Sequence, residues 1–354
     1  MKIKKNKFDS YCVNGFTKGC KYCVKGKKLV LFVTGICNVN CWYCSLSKKR
    51  KNKNLIFANE RECKNFEDIA EEVRESKATS AGITGGDPLA CLDKTIKFAS
   101  ELKKEFGKKF HIHIYLPTKF TTKEKLEKLS GYIDEVRFHP EFLINKSKIK
   151  EDVEKIKTAE KIFGRKNTGI ELPMIPEKKK EILDFILNIE KFISFVNLNE
   201  FELSETNFNI VTKKYSLNEG GYVVSESLKA GKWILNELAK TANRKLAVHS
   251  SKPNERKTKL KVHLCTAELK NCSQFANRLK RHKILPYGKK TKDGTVIYLV
   301  INKRLDLKGT FYDEKKKRTI LSEKVARKLL GKEKIIRVEE YPTYDRIEVE
   351  SEEL

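Results

Sequence analysis

No apolar run in this 354-residue chain approaches the ~20 residues a bilayer-spanning helix needs. Behind Met1-Lys2-Ile3-Lys4-Lys5 there is no apolar stretch of the kind a secretory signal carries, which predicts a cytosolic protein with no membrane partner. No internal repeat is visible. Acidic residues are scarce beside basic ones: 47 Asp and Glu stand against 75 Lys and Arg, for a net charge of +28. Such a field favours polyanionic partners, RNA or DNA. A Lys-rich proteome would raise Glu together with Lys, so it explains the lysine usage but not the imbalance. Ten cysteines in a cytosolic chain argue against a disulfide framework and for metal or redox chemistry. With 39% hydrophobic residues, the length suffices for one large domain and a smaller one.

The most informative stretch runs from Lys28 to Cys44. Leu29-Val30-Leu31-Phe32-Val33 reads as a strand and Thr34-Gly35-Ile36 as a loop. Cys37, Cys41 and Cys44 then stand at a C-x3-C-x2-C spacing, with Tyr43 before the last thiol. Thiolates are soft ligands that hold iron–sulfur clusters. Three of them leave one iron of a [4Fe–4S] cube open. A structural zinc knuckle wants two C-x2-C pairs, which this triplet does not supply. The stretch resembles the cluster loop of the radical S-adenosylmethionine (SAM) superfamily, C-x3-C-x-aromatic-C. The resemblance implies a [4Fe–4S] cluster on Cys37, Cys41 and Cys44, with SAM chelating the open iron. It also implies Tyr43 near the adenine and a one-electron donor such as ferredoxin or flavodoxin.

Downstream, strands and helices alternate. Helical spacing covers Phe66–Ser76, Asp93–Phe106, Thr121–Ser130 (Thr121 or Thr122 as N-cap), Ile149–Phe163 and Lys178–Phe195. Strands fall at Thr79–Thr84, Phe110–Leu116, Ile133–Phe138, Thr168–Leu172 and Val196–Leu203. With the first strand this makes six parallel βαβ units. Such a series resembles the partial (β/α)6 radical SAM barrel, whose wide lateral mouth would suit a large substrate.

Chemistry in such barrels sits at the C-terminal strand ends. Strand two ends in Thr84-Gly85-Gly86-Asp87-Pro88, about 40 residues after the triplet, as one helical crossover requires. The resemblance assigns Gly85, Gly86 and Asp87 to the amino group of SAM, glycine permitting close backbone approach. It places Glu171, in strand five, within reach of the ribose. His139 at the end of strand four reads as a structural histidine. Asn197 and Asn199 share one face of strand six, which points to ligand contact.

A second cysteine group, Cys12, Cys20 and Cys23, lies in the basic N-terminal segment, with Cys20 and Cys23 in a C-x2-C knuckle. Completed by Cys265 or Cys272, it predicts a second iron–sulfur cluster or a zinc site. Cys63 and Cys91 read as packing residues. The expected organisation is a Cys-rich basic segment (1–28), a partial barrel with a following helix and strand (29–249), a linker with a basic, Cys-containing helix (250–284), and a small α+β module (285–354). Within it, Ser225–Ala239 reads as helix, Lys245–His249 as strand and Gln274–His282 as the basic helix.

The function expected from these features is reductive SAM cleavage to modify a substrate, RNA and in particular a tRNA nucleoside. Three basic runs support that: Lys48–Lys53 behind the cluster loop, Arg278–Lys283, and Lys315–Arg318 near Tyr298, Phe311 and Tyr312. The alternatives are a protein-modifying or small-metabolite radical SAM enzyme, and a non-catalytic iron–sulfur or zinc RNA-binding protein. The last would explain neither GGDP at the strand end nor the barrel. The chain resembles archaeal proteins related to pyruvate formate-lyase activating enzymes. Its N-terminal cysteines, basicity and C-terminal module argue against glycyl-radical activation of a partner protein.

Overall fold

Along most of the chain, strands of five to seven residues, polar on alternate positions, are separated by amphipathic helices. The protein is described from a computed structural model covering residues 2–248 and 260–354. Its barrel portion contains β1 (Ile3–Lys5), β2 (Tyr11–Val13), α1 (Lys18–Val24), β3 (Lys28–Phe32), the hairpin β4 (Ile56–Ala58) and β5 (Arg61–Cys63), and α2 (Phe66–Ser76). It continues with β6 (Ser80–Thr84), α3 (Leu92–Phe106), β7 (His111–Pro117), α4 (Lys123–Ser130), β8 (Glu135–His139) and α5 (Ile149–Phe163). Then come β9 (Thr168–Pro173), α6 (Lys179–Ile189), β10 (Phe195–Asn199), α7 (Phe208–Lys214), α8 (Ser227–Val248) and β11 (Lys261–Cys265).

The six expected strands are present and parallel, in the order β3-β6-β7-β8-β9-β10. A seventh, β11, extends the series, pairing parallel to β10. It falls in what the sequence presents as linker, and its five residues follow the long crossover helix α8. The strand expected at Lys245–His249 is instead the end of α8 as far as Val248. Lys240–Val248 contains no glycine or proline to stop a helix. His249 and the polar linker Ser250–Lys259 lie outside the described residues. The helix expected to reach Phe195 ends at Ile189, because the Ser194 amide bonds the Thr168 carbonyl and draws the chain into the sheet.

The N-terminal residues belong to the same sheet rather than standing apart. Strand β2 pairs antiparallel with β11, setting Cys12 opposite His263, and β1 pairs with β2. At the other end of the series β4 and β5 cover β3. Strand alternation sends the aliphatic set, Leu29, Leu31, Ile83, Ile112, Ile114, Val136, Ile170, Val196 and Leu198, outward into one core beneath the helices. The inward set is polar: His111, His113, Glu135, Arg137, Glu171, Asn197 and His263.

Helix α1 enters this polar lumen. A Cβ on Gly19 would stand 2.6 Å from Arg137 Nη2, 2.8 Å from His113 Nδ1 and 2.9 Å from Glu135 Oε1, so a larger residue there would displace this buried polar group. After β11, the turn α9 (Ala267–Leu269), a π-helical turn (Lys270–Phe275) and α10 (Ala276–Arg281) cross from β11 to the β4–β5 hairpin and α2. Asn277 Nδ2 donates to the Val24 carbonyl, Arg278 grips Glu60 through two bonds of 2.6 and 2.5 Å, and Lys283 pairs with Glu75. The lateral mouth expected of a six-unit barrel is therefore filled by α1 and residues 267–283.

The C-terminal module is an antiparallel sheet with a separate core around Val296, Tyr298, Val300, Ile320 and Val338. It comprises β12 (Lys289–Lys290), β13 (Val296–Ile301), β14 (Thr310–Asp313), β15 (Arg318–Leu321), α11 (Glu323–Leu329), β16 (Ile336–Glu340) and β17 (Glu348–Glu353).

Candidate active site

The cluster loop begins where β3 ends, and close backbone contacts fix its path. The Gly35 amide donates to the Lys53 carbonyl at 2.8 Å, and the Asn52 amide returns a bond to the Gly35 carbonyl at 2.9 Å. A Cβ on Gly35 would overlap the Arg50 carbonyl oxygen at 1.7 Å. Below it, the Gly86 amide bonds the Thr34 carbonyl at 2.7 Å and the Asp87 amide bonds the Ile36 carbonyl at 2.9 Å. Cβ atoms on Gly85 and Gly86 would each meet a loop carbonyl oxygen at 2.5 Å. These glycines therefore seat the cluster loop before they serve any ligand. On the far side, Ser204 and Thr206 hydroxyls donate to the Cys44 carbonyl, and Asn207 Nδ2 donates to that of Tyr43.

Cys37, Cys41 and Cys44 all line one cavity of about 420 Å³. Burial raises the Cys37 thiol and pushes that of Cys41 up to about 12, and each lies in the electrostatic field of Cys44. Three thiols facing one cavity form a soft donor set that a metal would deprotonate, so the residues fit a cluster with one open position. Tyr43 is buried, with its hydroxyl 2.8 Å from His139 Nε2. His139 Nδ1 lies 3.1 Å from the Glu171 carbonyl. A carbonyl only accepts, so Nδ1 carries the proton and Nε2 accepts from Tyr43. Burial holds the imidazole below its ordinary range, consistent with this neutral tautomer.

Arg137 organises the deeper lumen. Its guanidinium donates to Glu135 through Nε and Nη2 (2.8 and 2.6 Å), to Glu171 through Nη1 (2.9 Å) and to Thr17 through Nη2 (3.1 Å). Asn199 Nδ2 donates to the second Glu171 oxygen at 2.8 Å. Burial works to raise the Glu171 carboxyl, but Arg137 and Asn199 outweigh it and hold it below the usual range. Lys28 and a Lys270–Glu202 pair, at 2.6 Å, also line the cavity.

Of the sequence-predicted residues, the triplet, Tyr43, Gly85, Gly86 and Glu171 meet at this cavity. The Asp87 carboxylate turns away to cap the turn Pro88–Cys91, accepting from the Leu89 amide at 2.9 Å. Cys63 is buried in β5, and Cys91 sits at the end of that turn. Cys20, Cys23 and Cys265 gather on the lumen side of α1 and β11. Cys12 stands apart beside His263, and Cys272 is exposed. Arg137, Lys28 and Lys270 escaped the sequence reading, whereas Glu202 belongs to the polar face it found in strand six. The available signal was polar residues on alternate strand positions.

Several residues of the basic runs are engaged in the fold. Arg50 stacks on Phe57 at 4.2 Å. Arg278 and Lys283 latch residues 267–283 to the barrel. Lys316 pairs with Glu348, Lys317 with Glu314, and Arg318 is buried among Asp313, Glu340 and Glu348. Tyr298 is core, not a stacking platform.

With this geometry in place, the comparisons are direct. Residues 31–189 match the radical SAM superfamily, and the chain belongs to that superfamily. It is 36% identical over 313 residues to a Methanocaldococcus jannaschii protein provisionally named a glycyl-radical enzyme activating enzyme, covering 85% of this chain and 78% of that one. Among solved structures it is similar to TsrM, a radical SAM methyltransferase from Kitasatospora setae crystallised with tryptophan and a SAM analogue. The TM-score is 0.36 at 10% identity, over 55% of this chain and 40% of TsrM. A second TsrM structure, with cobalamin and a [4Fe–4S] cluster, gives 0.35 over 52% and 39%. The protein is thus a radical SAM enzyme whose cofactors are a [4Fe–4S] cluster and SAM. No described helix is long and apolar enough to cross a membrane.

Proposed function

We propose that the enzyme acts on a protein partner, abstracting hydrogen from a segment presented at the mouth of the cavity. The observation that carries this reading is the character of the mouth. Ile36 on the cluster loop, Phe208 and Ile210 on α7, and Tyr222 are all between 40% and 50% exposed, and α7 follows directly on Ser204, Thr206 and Asn207, which bond the carbonyls of Cys44 and Tyr43. Large apolar side chains on a rim are a feature of protein docking surfaces. The name of the Methanocaldococcus jannaschii relative points the same way. Its match runs over 85% of this chain, which blunts the argument from the N-terminal cysteines and C-terminal module. An RNA substrate loses part of the support it drew from the basic runs, because acids and aromatic rings engage Arg50, Arg278, Lys283 and Lys316–Arg318.

When bound, the cluster and SAM supply a carbon-centred radical that abstracts hydrogen. The chain's own residues hold and orient them. Cys37, Cys41 and Cys44 would ligate the cluster. Gly85 and Gly86 offer backbone beside the loop for the SAM ammonium. The Glu171 carboxylate, kept ionised by Arg137, is an acceptor for ribose hydroxyls. The Tyr43 ring borders the same space, its hydroxyl occupied by His139. A small acidic electron carrier such as ferredoxin or flavodoxin suits the net charge of +28.

The test is anaerobic release of 5′-deoxyadenosine with protein, RNA and small-molecule fractions of the source cells. The protein reading expects stimulation by the protein fraction alone, abolished by protease. Nuclease-sensitive stimulation would restore RNA, and stimulation by small molecules would replace both.

A further inference from the structure

We propose that Cys20, Cys23 and Cys265 form a second metal centre, a thiolate site for zinc or an iron–sulfur cluster, behind the cations that line the cavity. This does not depend on the identity of the substrate.

The thiols come from two distant segments that the fold joins. Cys20 and Cys23 lie one turn apart on α1, and Cys265 ends β11. The Gln274 carboxamide spans two of them: Oε1 is 2.8 Å from Cys23 Sγ and Nε2 is 3.4 Å from Cys265 Sγ. Gln274 lies in the π-helical turn Lys270–Phe275, an irregularity that often marks function. Cys20 is buried on the same side of the lumen, 3.5 Å from Arg137 Nη2 and 4.0 Å from Asn197 Oδ1.

Charge separates this group from ordinary packing cysteines, which lie among apolar neighbours. Cations stand beside this group. Arg137 touches Cys20, and Lys28 and Lys270 line the adjoining cavity. Cations beside sulfur favour thiolate, the form that binds metal. Burial without metal does the reverse, raising Cys20 and pushing Cys265 up to about 12. Three thiolates on a metal would leave residual negative charge, which these cations are placed to offset. Among the described residues no three His, Cys, Asp or Glu side chains already stand at ligating distances, Cys37, Cys41 and Cys44 included. Gln274 Oε1 would be the fourth ligand of a zinc ion, or would move aside for a cluster.

The test is metal analysis of the full-length chain carrying Cys37→Ala, Cys41→Ala and Cys44→Ala, purified anaerobically and checked for folding by circular dichroism. The expected result is about one zinc, or about four irons with sulfide, per chain. Adding Cys23→Ser should remove it, and adding Cys272→Ser should not. Should the triple variant fail to fold, Cys23→Ser alone is compared with wild type. It should lose the same metal while keeping the reduced EPR signal of the loop cluster. A folded triple variant with neither iron nor zinc would overturn the proposal. So would equal loss from Cys23→Ser and Cys272→Ser.

Discussion

Two buried arginine networks, one in the barrel lumen and one in the C-terminal module, use the same chemistry to different ends. In the module, Arg318 and Arg346 face Asp313 and Glu340. Arg346 donates to Asp313 at 3.0 and 2.6 Å and to Glu340 at 2.7 Å, and Arg318 donates to Glu340 at 2.5 Å. Two cations meet two acids, with the half-exposed Glu348 at the edge and Arg318 Nε 3.4 Å from Asp313, and none of them lines the active-site cavity. In the lumen, Arg137 serves two carboxylates, a hydroxyl and a thiol, and one of those carboxylates borders the cavity. A charge-balanced network away from the active-site cavity is scaffold. A network with groups left facing a cavity has capacity to bind something else.

The strongest way to break the contrast is to remove each arginine. Arg318→Met and Arg137→Met both strand buried carboxylates, so each should cost about 3–5 kcal/mol, read by denaturant unfolding. The difference lies in activity. Arg318→Met should keep SAM cleavage per folded molecule, whereas Arg137→Met should abolish it, because Glu171 loses its orientation and its ionised state. Equal activity in the two folded variants would erase the distinction.

The two networks were not equally legible. The strand order of the barrel was, because alternation and crossover length are local signals. The cluster loop was, because three ligands lie within eight residues. The tightness around Gly35 and Gly86 could be read only as permissive glycine, since the carbonyls they meet come from other segments. Arg278 and Glu60 are 218 positions apart, so a basic helix read as an RNA contact when it is a latch. Strand β11 was hidden because a five-residue strand after a long crossover carries little periodicity. Arg137 looked like any strand residue until α1 was seen inside the lumen.

Acid should separate the regions next. His111, His113, His139 and His263 are all held below their ordinary range by burial, and residues 285–354 contain no histidine. A depressed folded pKa means the unfolded chain binds more protons. The stability these groups contribute is therefore full above about pH 6.5 and falls as pH drops below it, by up to about 1.4 kcal/mol per histidine per pH unit. Asp313 in the module is also lowered, its pairing with Arg346 outweighing burial, so its contribution persists until pH nears about 4. Near-neutral acidification should loosen the barrel while the module holds, measured by hydrogen exchange in each region. Simultaneous loss would contradict the assignment.

Glu171→Gln sharpens the comparison further. The amide keeps the shape and gives up the charge facing Arg137, which Glu135 still partners. A stability loss of about 1.5–3 kcal/mol is expected, together with weaker SAM binding in calorimetry. Unchanged SAM affinity would make Glu171 scaffold, like the acids of the module.

The smallest expected effect tests whether the lumen communicates with the cluster loop. Tyr43→Phe removes the hydroxyl that donates to His139 Nε2 and leaves the ring packed against Trp42, 5.3 Å away between centroids. His139 Nδ1 keeps its bond to the Glu171 carbonyl. The direct loss is one hydrogen bond, about 1 kcal/mol. A second consequence follows from its polarity. The phenol donates to Nε2 and so favours the neutral ring; without it, His139 takes up a proton more readily. The folded pKa of His139 then moves toward its unfolded value, so the stability lost by the barrel on acidification below about pH 6.5 should be smaller in Tyr43→Phe than in wild type, although the tyrosine itself does not titrate in that range. If the acid-induced loss is the same in both, His139 is neutral for reasons of burial alone, and the loop and the lumen titrate independently.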